Sequence, residues 1–129
     1  MKEIQRIIRQ LGKEDGFDTV VLTDESGLPL ASTQDFEEAE ALAAIIGQIQ
    51  RFSVRALERW KLGKTSEILL ISEDAKRGIL CRQFEAGEHK LALAVVIRPD
   101  HVYWKATTKA IQQIKQSWRL KAPDAIEDA

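Results

Sequence analysis

The 129-residue chain reads as an α/β protein of the α+β kind, a single five-stranded antiparallel sheet flanked by helices. Three observations predict this. Periodic segments follow one another as helix, two strands, helix, three strands, helix. Short turns join the strands within each group, and consecutive strands so joined run antiparallel. Val20-Val21-Leu22 and Leu91 to Ile97 are apolar at both alternating positions, so both faces of the sheet need covering.

Each element has its own signal. Ile4, Ile7, Ile8 and Leu11 recur at i, i+3, i+4 and i+7, one apolar stripe on a first helix. Gly12 follows and is positioned to supply a left-handed cap. Phe17 to Thr23 is β-branched and aromatic, hence a strand. Asp24-Glu25-Ser26-Gly27 turns the chain into a second strand, Leu28 to Ser32. Pro29 cannot donate to a ladder and sends that strand to a sheet edge.

Asp35 with Glu38 three residues on resembles a capping box, and opens a long helix from Glu37 to Leu62. Leu42, Ile45, Ile46, Ile49, Phe52, Ser53, Ala56, Leu57 and Trp60 form its wide stripe, and Lys61 and Gly63 close it. Glu67 to Ser72, Ile79 to Phe84 and Lys90 to Ile97 follow at hairpin spacing, linked through Gly78 and Gly87. Arg98-Pro99-Asp100 leads into a last helix striped by Trp104, Thr107, Ile111, Ile114 and Trp118. The two tryptophans share that stripe and read as core anchors.

Nothing in composition splits the chain. The expected organisation is one domain over 1–121 and a flexible acidic tail over 122–129, Pro123-Asp124-Ala125-Ile126-Glu127-Asp128-Ala129 forming its core. Nineteen Lys+Arg against 20 Asp+Glu argue against a generally basic nucleic-acid binder. One Cys excludes an intramolecular disulfide and a cysteine-based zinc cluster. No apolar run approaches the ~20 residues of a membrane span, and the N-terminus does not read as a signal peptide. The simplest location is the cytoplasm.

Chemistry-bearing motifs are weak. Gly63-Lys64-Thr65-Ser66 ends like a phosphate-binding loop, but Glu58 stands where the first glycine belongs, and helix precedes strand rather than the reverse. His89 and His101 lack a second histidine at i+4, so no metal site is expected. Cys81 sits inside a strand, where a lone Cys is usually a small buried hydrophobe; a histidine within reach would be needed to make it a nucleophile. The carboxylate pairs Glu14-Asp15, Asp24-Glu25 and Glu73-Asp74 fall in turns. No catalytic residue, cofactor or metal is expected.

Two features point to surfaces instead. The run Ile68-Leu69-Leu70-Ile71 is apolar on both faces and opens the last meander, so it is either an internal strand or an edge that pairs with another chain. Beside the main stripe of the long helix lie Ala39, Ala43, Gly47, Gln50 and Val54. A helical glycine costs roughly 1 kcal/mol against Ala, so something approaches Gly47 closely, either a partner helix or this chain's own sheet. Glu37, Glu40, Gln48, Arg51, Arg55, Glu58 and Arg59 make a solvated face. The last helix carries Lys105, Lys109, Lys115, Arg119 and Lys121 with no acid among them, a candidate basic face for a partner.

The hairpin Thr23-Asp24-Glu25-Ser26-Gly27-Leu28-Pro29-Leu30-Ala31-Ser32, preceded by Gly16 to Leu22 and followed by the Ala-rich helix from Glu37 to Ile49, resembles the roadblock / dynein light chain family. Ser66 to Ile71 and Leu91 to Val95 fit the same resemblance, which runs from about Ile4 to Trp118. It implies a profilin-like sheet with the long helix on one face and the two terminal helices on the other. It also implies a homodimer built through the long helix and the following strand. The implied interface is Ala39, Ala43, Gly47, Gln50 and Val54 with Glu67, Ile68, Leu69, Leu70 and Ile71. The implied function is a non-catalytic adaptor that regulates or scaffolds a Ras-like small GTPase. Two other readings stay open at this stage: a PAS-like or profilin-like small-ligand sensor, needing a cavity between helix and sheet, and an enzyme using Cys81 or His89.

Overall fold

The computed structural model describes the backbone of residues 1–64 and 66–128, and side chains as far as residue 120 apart from residue 65. The elements are α1 (Lys2–Leu11), β1 (Phe17–Thr23), β2 (Pro29–Ser32), α2 (Phe36–Arg59), β3 (Glu67–Ile71), β4 (Gly78–Ala86), β5 (His89–Ile97) and α3 (Trp104–Asp128). All five strands join one antiparallel sheet in the order β2-β1-β5-β4-β3. The β2 strand with Pro29 is one edge, and β3 is the other. The backbone of α3 continues to Asp128, whereas the sequence suggests a loose acidic tail over 122–129; that expectation concerns side chains outside the described residues.

Strand alternation sorts the core into two layers. Val20, Leu22, Leu80, Phe84, Leu93, Val95 and Ile97 face α1 and α3, where Ile4, Ile7, Ile8, Leu11, Ile111 and Ile114 close the larger cluster. Cys81, Ala92 and Ala94 face the other way, against Ile46 of α2. The small side chains on that face let the long helix sit close.

Local chemistry fixes the ends. The Asp35 carboxylate accepts from the Glu38 N–H at 3.0 Å, an N-cap as the sequence suggests. Lys61, at φ 57°, turns the chain out of α2. Gly12 departs from expectation: its φ is −64°, right-handed, so it is not a left-handed cap. A Cβ there would lie 2.6 Å from the Thr33 methyl, so the glycine serves the close passage of α1 over the strand end. On the far side of the same layer, the Asp15 carboxylate bonds Arg98 and His101 at 3.1 Å each, tying the α1–β1 loop to the β5–α3 loop.

Candidate protein-protein interface

The two sheet edges are finished differently. On β2 the Gln5 amide donates to the Ser32 carbonyl at 2.8 Å and accepts from the Ser32 N–H at 3.2 Å. It occupies the place of a neighbouring strand. The β2 strand is also four residues long, begins with Pro29 and meets β1 through an irregular register at Leu22/Thr23. Short length, proline, a bulge and a covering group are the usual devices that blunt an edge.

Among the described residues β3 carries no proline, no irregular register with β4 and no covering side chain. The Gln83 N–H donates to the Ser66 carbonyl, and the Ser72 N–H donates to the Arg77 carbonyl. These bonds fix the alternation, so Glu67, Leu69 and Ile71 turn their N–H and C=O groups outward. Beyond Glu67 the side chains of β3 are apolar, with Leu70 47% and Ile71 52% exposed. Of the two sequence alternatives for Ile68 to Ile71, the structure selects the edge.

An apolar seam on α2 borders this edge. Leu42, Ile45, Ile49, Phe52 and Ala56 recur at alternating steps of three and four, the spacing of a helix-pairing seam. Leu42 and Ile49 of the helix and Ile68 and Ile79 of the sheet are half-buried and all pack against the same cluster of Ile46, Cys81, Ala92 and Ala94. Ile45 is half exposed and Phe52 is 77% exposed. Helix seam and strand edge together form one uncovered apolar surface.

Part of the helix flank expected at an interface is packed within the chain. Ala39, Ala43 and Gly47 are buried by their own chain. A Cβ on Gly47 would meet Gly27 Cα of the β1–β2 turn at 3.9 Å, so the close approach that the glycine permits is internal. Gln50 is half-buried and donates to the Cys81 sulfur at 3.5 Å, while Val54 is exposed and lines a groove with Gln50, Gln83 and Lys90. Small residues appear where the helix lies nearest its own sheet; the large exposed ones lie across from them. Trp104 departs from expectation. It is half exposed rather than a core anchor, and the Arg82 guanidinium stacks 3.6 Å over its ring. Arg82 also donates to Thr107 and Thr108 Oγ1, at 2.8 and 2.7 Å, which fastens the start of α3 to β4. The sequence reading missed Arg82, although a charge inside the strand Ile79 to Phe84, directly after the apolar Ile79-Leu80-Cys81, was visible.

Cys81 and His89 are not brought together. Cys81 points toward α2, and burial pushes its thiol up to about 11, so it stays protonated at neutral pH. His89 packs edge-on to Trp118, ring centroids 5.4 Å apart, beside α3. The groove along the C-terminal half of α2, about 410 Å³, is walled by Val54, Leu91 and half-buried Asp24 and opens to solvent along the exposed Glu25, Arg51, Arg55 and Lys90. Lys105, Lys109 and Arg119 lie exposed on α3, and Lys115 is partly covered. No helix among the described residues is long and apolar enough to cross a membrane.

A five-stranded antiparallel sheet with one long helix on one face and a pair of terminal helices on the other defines the roadblock/LC7 fold, and the chain has it. Solved structures agree over nearly its whole length. Myxococcus xanthus MglB is 15% identical, at TM-score 0.74 over 92% of this chain and 89% of the other. A roadblock/LC7 domain from Streptomyces avermitilis is 14% identical, at TM-score 0.72 over 95% and 97%. The gliding protein MglB from Thermus thermophilus is 16% identical, at TM-score 0.72 over 89% and 87%. No sequence-family model matches the chain, and no curated protein matches it by sequence.

Proposed function

We propose that the chain acts as a homodimeric, non-catalytic adaptor that regulates or scaffolds a Ras-like small GTPase. The observation that carries the dimer is the continuity of the bare β3 edge with the α2 seam. A two-fold axis beside β3 pairs Glu67, Leu69 and Ile71 with the same residues of a second copy and lays the two seams together. Exposed Ile45, Phe52, Leu70 and Ile71 then become buried. The partner class rests on the roadblock resemblance and on the likeness in fold to the MglB structures, one of which is described as a gliding protein. A role in polarity, motility or signalling suits that likeness. The lack of a meeting between Cys81 and His89 favours binding over catalysis.

The test is capture of the purified chain by small GTPases of the same cell, loaded with GDP or with a non-hydrolysable GTP analogue. Retention in one nucleotide state, with a changed hydrolysis or exchange rate, supports the adaptor reading. No retention and unchanged rates overturn it.

A further inference from the structure

The terminal helices build a charged surface that the sequence shows only in part. Lys2, Arg6, Arg9 and Lys13 follow at i, i+4, i+7 and i+11, one straight ridge along α1 and its end. The buried residues Ile4, Ile7, Ile8 and Leu11 lie on the opposite side of that helix. On α3, Lys105, Lys109, Gln112, Gln116 and Arg119 repeat the same spacing, opposite the buried Thr107, Ala110, Ile111, Ile114 and Ser117. Both helices pack on the same sheet face, so both ridges point away from the body. Every cation on the two ridges is exposed. Over residues 2–15 and 104–120 there are eight cations and three acids; Glu3 is engaged by Arg6, Asp15 by Arg98 and His101, and Glu14 lies in the groove between the helices beside Arg6 and Lys109. The whole chain carries a formal net charge of −1, so the positive charge is concentrated in this layer.

We infer that the α1–α3 layer is a docking surface for an anionic lipid bilayer. Clusters of four to eight Lys and Arg on helical surfaces are held by the negative potential of acidic headgroups. The ridges span roughly 16 and 21 Å at about 1.5 Å per residue, on two helices packed against each other on one sheet face, which suits a broad anionic surface. Leu120, 72% exposed, borders the α3 ridge and offers an apolar contact at headgroup depth. Nucleic acid fits less well. Neither helix projects to enter a groove, and no aromatic stands on either ridge to stack a base. The surface lies on the sheet face opposite α2, so it is free in a single copy. In the proposed dimer, a sheet continuing through β3 puts both copies' layers on one side and doubles the charge facing the bilayer.

The experiment is co-sedimentation of the full chain with phosphatidylcholine vesicles, with and without about 30% phosphatidylserine, at about 0.1 M salt. The chain pellets with the serine-containing vesicles and not with phosphatidylcholine alone. Lys105→Glu with Lys109→Glu, and separately Arg9→Glu with Lys13→Glu, each weaken binding by about tenfold or more. Lys76→Glu with Lys90→Glu makes the same change in net charge off the layer and leaves binding within about twofold. Circular dichroism confirms that all three pairs fold. No pelleting with acidic vesicles overturns the inference. So does an equal loss in all three pairs, which would mark a net-charge effect. Retention of a short DNA duplex without vesicle binding overturns it in favour of nucleic acid. None of these outcomes depends on the dimer or on the GTPase.

Discussion

The two edges of one sheet show how a fold separates the surface it hides from the surface it offers. At β2, proline, an irregular register and the Gln5 amide satisfy or remove the outward groups. At β3 three residues face outward with no covering group among the described residues, and the side chains around them are apolar. An uncovered edge of that kind templates pairing. The difference teaches that one sheet can finish its two edges in opposite ways, β2 covered and β3 left open, and it is the open edge that the proposed dimer uses.

The comparison breaks most sharply at the seam. Phe52→Glu or Leu70→Lys places a charge in the centre of the proposed contact, and central contacts of this kind carry about 2–4 kcal/mol. Either change should convert dimer to monomer at micromolar concentration in light scattering, with the monomer still folded because both side chains are already exposed. Ile71→Pro is the next test. Its N–H faces outward, so proline removes no ladder bond within the chain. Dimer affinity should fall at least about tenfold in sedimentation, while the melting temperature of the monomer moves little.

The opposite edge answers in the other direction. Gln5→Leu strips the cover from Ser32 and should cost about 1 kcal/mol of stability in urea melts. It should also give concentration-dependent association that Ile71→Pro does not prevent. Asp35→Ala removes the α2 cap and costs about 1 kcal/mol without touching either edge, a control for stability alone. At neutral pH nothing changes at Cys81, whose effect shows only in alkali. Its thiol is raised from 9.0 to about 11, so the protonated form is favoured in the fold. The contribution is complete below pH 9 and is lost as pH rises toward 11, visible as a falling melting temperature over that window. At pH 8 the native chain should resist alkylation that the unfolded chain accepts.

Most of the fold was legible because periodicity reports burial. The strand Phe17–Thr23 matches its expected limits, and Pro29 placed β2 at an edge because a missing N–H is a property of the residue alone. The open apolar surface was half legible. The run Ile68 to Ile71 was visible as an apolar strand, but the side of α2 on which large apolar residues lie exposed was not. Ala39, Ala43 and Gly47 look like a helix-pairing flank, and the same small residues serve a helix that lies close to its own sheet. Spacing cannot separate the two, since both need a backbone to come near. The Leu42 to Ala56 seam was folded into one wide stripe with the core residue Ile46, and only the position of the sheet divides them. The α1 ridge was overlooked because its charges alternate with the apolar stripe and look like ordinary solvation until α3 is placed beside it.

The central claim is that β3 and the α2 seam join two copies. Sedimentation equilibrium of the unmodified chain, over about 1–100 μM, tests it most directly. The account requires a mass of twice 14.6 kDa that declines only on dilution. A mass of 14.6 kDa at every concentration would contradict it.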